Sequence, residues 1–455
     1  MEKLISLCKR RGFVFPSSEI YGGLAATYDW GPLGVELVNN IKRAWWRMFI
    51  QERPDMVGLD ASILMNPKVW EASGHVQNFS DPLVECKKCH ARFRADHLLE
   101  DRAASPGYDK EKPVDVKDIK CPACGGELTE AKQFNLMLKT HLGPVEDTAS
   151  AVYMRPETAG GIFVNYKNVQ QSMRRRLPFG IGQIGKAFRN EITVENYIFR
   201  VREFEQMEVE YFFNPKEDWR KVFDNWLDLM TRWCERLGIK KENLVFHEIP
   251  EEERAFYSKR TVDIEFKYPF GVKELFGLAY RTDYDLSQHQ KSSGEDLSYL
   301  DPETNEKFIP HVIEPSLGIT RSVLAALLEA YTVIEGGRST TTEAIKEEEI
   351  MLKLPYELAP IKVAILPLSK KEPLAELAEK IAKELRPHFM LQYDETGSIG
   401  KRYRRQDEIG TPYCVTVDFE SVDDKKVTVR DRDSMQQERV AIAELKDYLK
   451  KKFGC

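Results

Sequence analysis

Residues 188–204 read Phe-Arg-Asn-Glu, then a short gap, then Phe-Arg-Val-Arg-Glu-Phe. Arg189 and Glu191 end one β-patterned run, and Arg200, Arg202 and Glu203 open the next. Arginines at both mouths of a strand–loop–strand can hold a bent polyphosphate, because each guanidinium offers a flat fork of donors matching two oxygens at a time. A surface hairpin decorated by Arg189–Glu191 and Arg202–Glu203 ion pairs is the plainer alternative. A second string, Glu314-Pro-Ser-Leu-Gly-Ile-Thr-Arg321, favours the ligand reading by bringing another arginine and another acid.

The strand that follows the first arginines is informative in its alternation. Side chains two apart share a face, so Met207, Val209, Tyr211 and Phe213 form a core side. Gln206, Glu208 and Glu210 share the other side with Phe204 and Phe212. No lysine lies between Glu203 and Phe213, as a merely solvated face would normally have. Acids between aromatics suit a half-enclosed surface for a cationic ligand. Gly180, Gly182 and Gly185 fit close approach of a ligand or of backbone.

Cys86-Lys-Lys-Cys89 and Cys121-Pro-Ala-Cys124 form two Cys-x-x-Cys pairs separated by 31 residues. Four thiolates suit tetrahedral Zn²⁺ and leave no open position, so the metal would be structural. Free thiols or redox pairs are the alternatives, and His90 is a spare ligand candidate. Cys8, Cys234, Cys414 and Cys455 are scattered.

The elements that must position these residues divide a chain of 455 residues into several domains. Net charge is −6, so no global basic field advertises nucleic acid. Local patches, Arg174–Arg176 and Lys401-Arg-Tyr-Arg-Arg405, are the candidates for RNA contact. No stretch is long enough for a signal peptide or a membrane span, and cysteine usage is not that of a secreted framework. A cytoplasmic protein is expected. Residues 1–83 open the main domain, with a helix from Val35 to Ile50. Residues 84–132 are an insertion carrying the cysteines. Residues 133–345 complete the main domain, with a helical insertion at 216–259, strands over 261–320 and a helix over 321–335. Residues 338–350 are the expected linker. Residues 346–455 form an α/β module, with strands at Val363–Leu366 and Pro412–Val417 and helices at Pro373–Glu384 and Gly397–Glu408. From residue 355 on, 19 Lys/Arg stand against 18 Asp/Glu, which suits RNA better than the acidic remainder.

Three of these signals resemble the motifs of class II aminoacyl-tRNA synthetases: Gly31-Pro-Leu-Gly34 before a helix, Arg189 through Phe204, and Gly318-Ile-Thr-Arg321. Longer strings are more specific. Tyr21 to Gly34, Arg155-Pro-Glu-Thr-Ala-Gly-Gly-Ile-Phe163 and Tyr280 to His289 resemble the glycyl enzymes of the homodimeric type over nearly the whole chain. The tail resembles the anticodon-binding domain shared by the glycyl, histidyl, prolyl and threonyl enzymes, most clearly at Gly397–Arg405.

The resemblance implies an α+β fold: an antiparallel sheet flanked by helices, a zinc-ribbon-like insertion and a C-terminal α/β domain. It implies glycyl-adenylate formation from glycine and ATP with Mg²⁺, then transfer to tRNA(Gly), by a homodimer. Arg189 and Arg321 would be the catalytic residues. ATP would be met by Arg189, Asn190, Glu191, Phe199, Arg200, Val201, Arg202, Glu203, Phe204, Glu274, Leu275, Gly318, Ile319, Thr320 and Arg321. Phe204 would stack on adenine, Glu191 would accept from its amino group, and Glu274 would face nucleotide and metal. Glycine would be met by Arg94, Glu157, Phe204, Glu205, Gln206, Met207, Glu208, Arg281, Glu314, Ser316 and Gly318. Ser316 would leave no room for a methyl group, and rejecting larger residues by sterics makes an editing domain unnecessary. Tyr403 and Arg404 are candidate base readers. A sister synthetase, prolyl or histidyl, and a non-catalytic RNA-binding paralogue are the rivals. The retained Arg189 and Arg321 argue against the second.

Overall fold

The computed structural model describes residues 1–103, 115–147, 149–192, 196–336 and 348–454. Seven strands make the central sheet: β1 (Met56–Gly58), β2 (Phe179–Phe188), β3 (Glu203–Phe213), β4 (Leu244–Glu248), β5 (Arg260–Tyr268), β6 (Gly271–Thr282) and β7 (His311–Gly318). Their order is β4-β5-β6-β7-β3-β2-β1. Only the β1–β2 pairing is parallel.

The period-two pattern decides which face of β3 goes where. Met207, Val209, Tyr211 and Phe213 enter the main apolar core with Trp45 of the helix Pro32–Trp46, Trp226 and Trp233 of the helix Trp219–Arg236, and Leu324 of the helix Ile319–Ala330. On the opposite face Phe212 joins a smaller cluster with Phe163 and Tyr166 of the helix Ala159–Ser172 and Leu286 of the helix Tyr284–Ser293. Glu208 and Glu210 lie on that second face, buried rather than half-enclosed. The strand glycines answer to protein neighbours. A Cβ at Gly182 would stand 2.3 Å from Ile50 Cδ1, and one at Gly185 would stand 2.2 Å from an Arg155 guanidinium nitrogen.

Several expectations need adjustment. The segment 216–259 holds the expected helix, Trp219–Arg236, but also β4, the edge strand of the sheet. Its short Leu-Val-Phe-His-Glu run buries only Leu244, too little alternation to stand out. The stretch 261–320 includes the helix Tyr284–Ser293, whose polar sequence hides its buried Asp285, Leu286 and His289. The helix after Gly318 stops at Ala330, where Tyr331–Ile334 becomes a strand paired with Glu349–Leu352. Residues 338–347 of the expected linker lie outside the described residues.

The cysteine-bearing insertion is a three-stranded sheet of Ser80–Glu85, Arg92–Arg94 and Lys132–Asn135 with the helix Ala95–Ala103. The C-terminal unit has β8 (Val363–Pro367), β9 (Leu391–Tyr393), β10 (Tyr413–Val417), β11 (Lys426–Asp431) and β12 (Gln437–Ala441), ordered β9-β8-β10-β11-β12. It owns a separate apolar core. The segment before it belongs to the first unit: Leu352, Leu354, Leu358 and Ile361 pack in the main core, and Asn40 Nδ2 donates to Leu358 O (3.2 Å) and Ala359 O (2.9 Å). Among the described residues no helix is long and apolar enough to cross a membrane.

Candidate active site

β2 and β3 are an antiparallel hairpin in which Phe188 pairs with Glu203. Arg189 leaves its end, donating its backbone N–H to Arg202 O at 2.9 Å. β7 runs beside β3 and delivers Ser316 and Gly318, and the next helix starts with Thr320 and Arg321. These elements wall a cleft lined by Arg189, Glu191, Phe199, Arg200, Val201, Phe204, Gln206, Glu274, Leu275, Ser316, Gly318, Thr320 and Arg321. Both motif arginines therefore face one space.

The Arg189 guanidinium lies between two aromatic rings, 5.2 Å from the Phe79 centroid and 5.3 Å from that of Phe204, and Nε donates to Pro156 O at 3.1 Å. Among the described residues no carboxylate lies within ion-pair distance of Arg189 or Arg200, so two cations stand ready for an anion. Arg321 lies over Phe199 at 4.6 Å and pairs with Glu274 at 2.9 Å. That guanidinium, with Arg189 and Arg200 behind it, holds the Glu274 carboxyl below its usual range.

Past Ser316 and Gln206 the cleft meets a buried acidic group. Ser316 Oγ donates to Glu208 Oε1 at 2.7 Å, and Gln206 Nε2 reaches the same oxygen at 3.3 Å. The other Glu208 oxygen accepts from the Thr158 hydroxyl and from its backbone N–H (3.1 Å). Glu157 is 3.3 Å from His75 Nε2 and 4.0 Å from Arg281. Burial opposes its ionisation, yet His75, Arg281 and Arg189 outweigh burial and bring the carboxyl to about 2. Arg281 is fully buried. It grips Asp285 with two nitrogens (2.7 and 2.8 Å), donates to Glu314 at 2.8 Å, and lies 3.7 Å from the Tyr257 centroid. Desolvation, only partly offset by Arg281, pushes Glu314 up to about 8. Burial and the neighbouring Glu157 also raise Glu208. A small ammonium ion is the ligand such a pocket fits: it brings positive charge to several buried carboxyls that share the Arg281 guanidinium.

Other expected site residues sit elsewhere. Glu205 and Met207 need correction. Alternation turns them to the core face, where Glu205 pairs with Lys42 and Met207 is fully buried. Glu203 points outward to Lys186. Arg202 caps the loop before the first helix motif, donating to Ala25 O at 2.7 Å. Asn190 contributes a backbone bond to Leu136 O (2.7 Å), and Ile319 is buried in the main core. Arg94 is held by Asp81 (2.6 Å) and Asp96 in the insertion, off the cleft wall. Arg281 is committed to buried acids. The RNA patches are also largely spent within the fold. Arg175 binds Pro54 O, Arg402 is buried, Arg404 pairs with Glu349 (2.7 Å), Arg405 pairs with Asp394, and Tyr403 packs on Leu366 and bonds Thr416.

Reading the sequence missed Thr158, His75, Asp285 and Tyr257. Thr158 and Asp285 lie inside quoted strings and could have been found there. His75 opens the four-residue helix His75–Asn78 and Tyr257 lies in a turn, neither with a local signal.

The four cysteine sulfurs converge, each within 4.8 Å of the others. Cys86 and Cys124 are 3.5 Å apart and Cys89 and Cys121 are 3.7 Å apart, well beyond a disulfide. Ligands about 2.3 Å from a tetrahedral centre would stand about 3.8 Å apart, so the four sulfurs fit a metal ion. Backbone N–H groups of Lys88 and Cys89 point at Cys86 Sγ (3.4 and 3.5 Å), as thiolates in such knuckles require.

Comparison with known proteins places this geometry in context. The family model described as "tRNA synthetase class II core domain (G, H, P, S and T)" matches residues 144–331, and that described as "Anticodon binding domain" matches 362–452. A glycine–tRNA ligase of Geobacillus thermodenitrificans is 56% identical, with 100% of this chain and 98% of the relative covered. A Bacillus cereus glycine–tRNA ligase is 55% identical over 100% and 99%. One from Thermobifida fusca is 53% identical over 100% and 98%.

Proposed function

Since the chain belongs to the glycine–tRNA ligase family of class II synthetases, we propose that the cleft between Arg189 and Arg321 is where it joins glycine to ATP. The enzyme activates glycine to the adenylate and transfers the glycyl group to tRNA(Gly). In the first step a glycine carboxylate oxygen attacks the α-phosphorus, and the bond to the β-phosphate oxygen breaks to release pyrophosphate. Two anions must meet, so fixed positive charge is the main requirement. Arg189, which meets no carboxylate at ion-pair distance among the described residues and is walled by Phe79 and Phe204, bridges the carboxylate and the α-phosphate. Arg321 takes the far end of the triphosphate, giving up Glu274 as it does so. Phe204 stacks on adenine and Glu191 accepts from its amino group. Arg200 serves the phosphates as the second unpaired cation.

The ammonium of glycine enters among Glu157, Glu208 and Glu314, with Ser316 closing the space beside the α-carbon. The single observation that carries this reading is the shared wall: one cleft lined by Arg189, Arg200 and Arg321 also reaches Gln206 and Ser316, whose side chains donate to the buried Glu208 carboxylate. In the second step a ribose hydroxyl of the tRNA end attacks the glycyl carbonyl, AMP leaves, and the adenylate phosphate can take the proton.

Mg²⁺ on the phosphates would neutralise their charge. Glu274 and Asp263, whose carboxyl oxygens both flank Gly277 and whose pairing raises Asp263 to about 8 with burial as the larger cause, suit a divalent cation at the cleft's edge. Cys86, Cys89, Cys121 and Cys124 would hold Zn²⁺ to fix the insertion. A homodimer is supported by the exposed apolar loop of Ile20 (88%), Tyr21 (87%) and Leu24 (62%), which leads into the helix Pro32–Trp46. Glycine-dependent exchange between ATP and pyrophosphate tests the activation step. Exchange with proline or histidine in place of glycine would point to a sister specificity.

A further inference from the structure

Glu210 is a fully buried acid that the reaction above does not use. On β3 it stands at the register position of Glu314 on β7, two places beyond the Glu208–Ser316 pair. One carboxyl oxygen from each of Glu208, Glu210 and Glu314 lies within 4.8 Å of the others. Among the described residues neither Glu210 oxygen has a hydrogen-bond donor. Like charges facing each other across a sheet repel, and a buried carboxylate without donors is costly enough that it normally takes up a proton.

The surroundings cannot supply the missing charge. Facing Glu210 are Glu314 on β7, Glu208 on its own strand, Arg281 on β6 and Asp285 on the helix Tyr284–Ser293. Across β2 its partner is the apolar Ile181. Arg281 already serves Asp285 and Glu314. Further out, Glu157 is matched to His75, and His289, on the same helix as Asp285, is held towards its neutral form by burial. Several carboxyls thus share one permanent cation, and the ligand-free pocket is short of positive charge.

We propose that Glu210 and Glu314 hold a proton between them in the ligand-free enzyme and release it to solvent as the glycine ammonium enters, so that substrate charge replaces a proton. This rests on the reading that Glu157, Glu208 and Glu314 receive the ammonium. Glu210 is then a positioning residue. It sets the charge of Glu314 without touching glycine. Burial raises both carboxyls, Glu314 to about 8 and Glu210 well above its ordinary range, which puts the exchange near neutral pH.

The test is calorimetric titration of glycine into the full-length enzyme in buffers of different ionisation heat. At about pH 7.5 roughly one proton should be released per glycine, and affinity should rise by up to about tenfold per pH unit. Glu210→Gln should keep glycine binding within about threefold, because it keeps the shape of the side chain, while losing most of the proton release. If Glu210→Gln does not fold, the infrared band of a protonated carboxyl in the native enzyme should vanish when glycine binds. Binding without proton release, release unchanged in Glu210→Gln, or affinity that tracks potassium or magnesium instead of pH overturns the inference alone. No glycine binding at all overturns the pocket reading beneath it.

Discussion

At the scale of single residues, the contrast between two arginines organises the chemistry. Arg189 is held by aromatic faces and one carbonyl, whereas Arg321 is kept in place by Glu274. Arg189→Ala should therefore cost glycine-dependent exchange at least about 100-fold, the scale expected when a preorganised charge is removed from a reacting centre. Its melting temperature should change little, since no ion pair among the described residues is broken. Glu208→Gln should instead raise the KM for glycine by roughly tenfold or more, as losing a charged partner costs about 1.5–3 kcal/mol. A steady-state series in glycine at saturating ATP separates the two. These residues were legible because they cluster on short strings. His75 was not, because Glu157, the acid it meets, comes from a distant part of the chain; Asp285 stands one turn from Arg281 and could have been read with it.

At the scale of elements, β3 shows what a sequence can and cannot say. Its alternation correctly separated Met207 and Val209 from Glu208 and Glu210. Assigning Glu205 and Met207 to the glycine site contradicted that same alternation, since odd and even positions cannot share a face. Met207→Ala should destabilise the protein by about 2–5 kcal/mol through a cavity in the main core, with the KM for glycine unchanged. Denaturant unfolding beside exchange kinetics checks both halves. The edge strand β4 and the helix Tyr284–Ser293 escaped notice because each buries few apolar residues, so their place in the fold is set by the sheet and not by local pattern. In the insertion, four sulfurs hold together segments with only a small apolar cluster. A metal held by the four sulfurs would tie these segments together; its removal should then loosen residues 80–103 and 115–135 selectively, seen as faster proteolysis there, and metal analysis should return one ion per chain on the loaded protein.

At the scale of the whole molecule, buried carboxyls set a two-sided pH dependence. Glu157 falls from 4.5 to about 2 on folding. It therefore contributes stability present above about pH 4.5 and lost as pH drops towards 2. Glu314 and Asp263 rise to about 8. Here the folded state binds protons more tightly, so their contribution is complete in acid and declines as pH climbs from about 4.5 to 8. Thermal unfolding without ligand should show a maximum on the acid side of neutrality. Glycine should flatten the alkaline decline. The change of pattern and charge balance near residue 355 points to a C-terminal module in the sequence. The packing of Leu352 to Ile361 on the first unit was not legible there, because a segment's partner cannot be read from its own residues.

The central claim is that the walls carrying Arg189 and Arg321 and the buried acids behind Ser316 belong to one glycine-activating cleft. ATP–pyrophosphate exchange across a panel of amino acids, for the native protein and Arg189→Ala side by side, tests it most directly. Strong exchange with glycine, little with alanine, proline or histidine, and almost none in the variant is the expected result. Exchange that persists undiminished in the folded variant would contradict it.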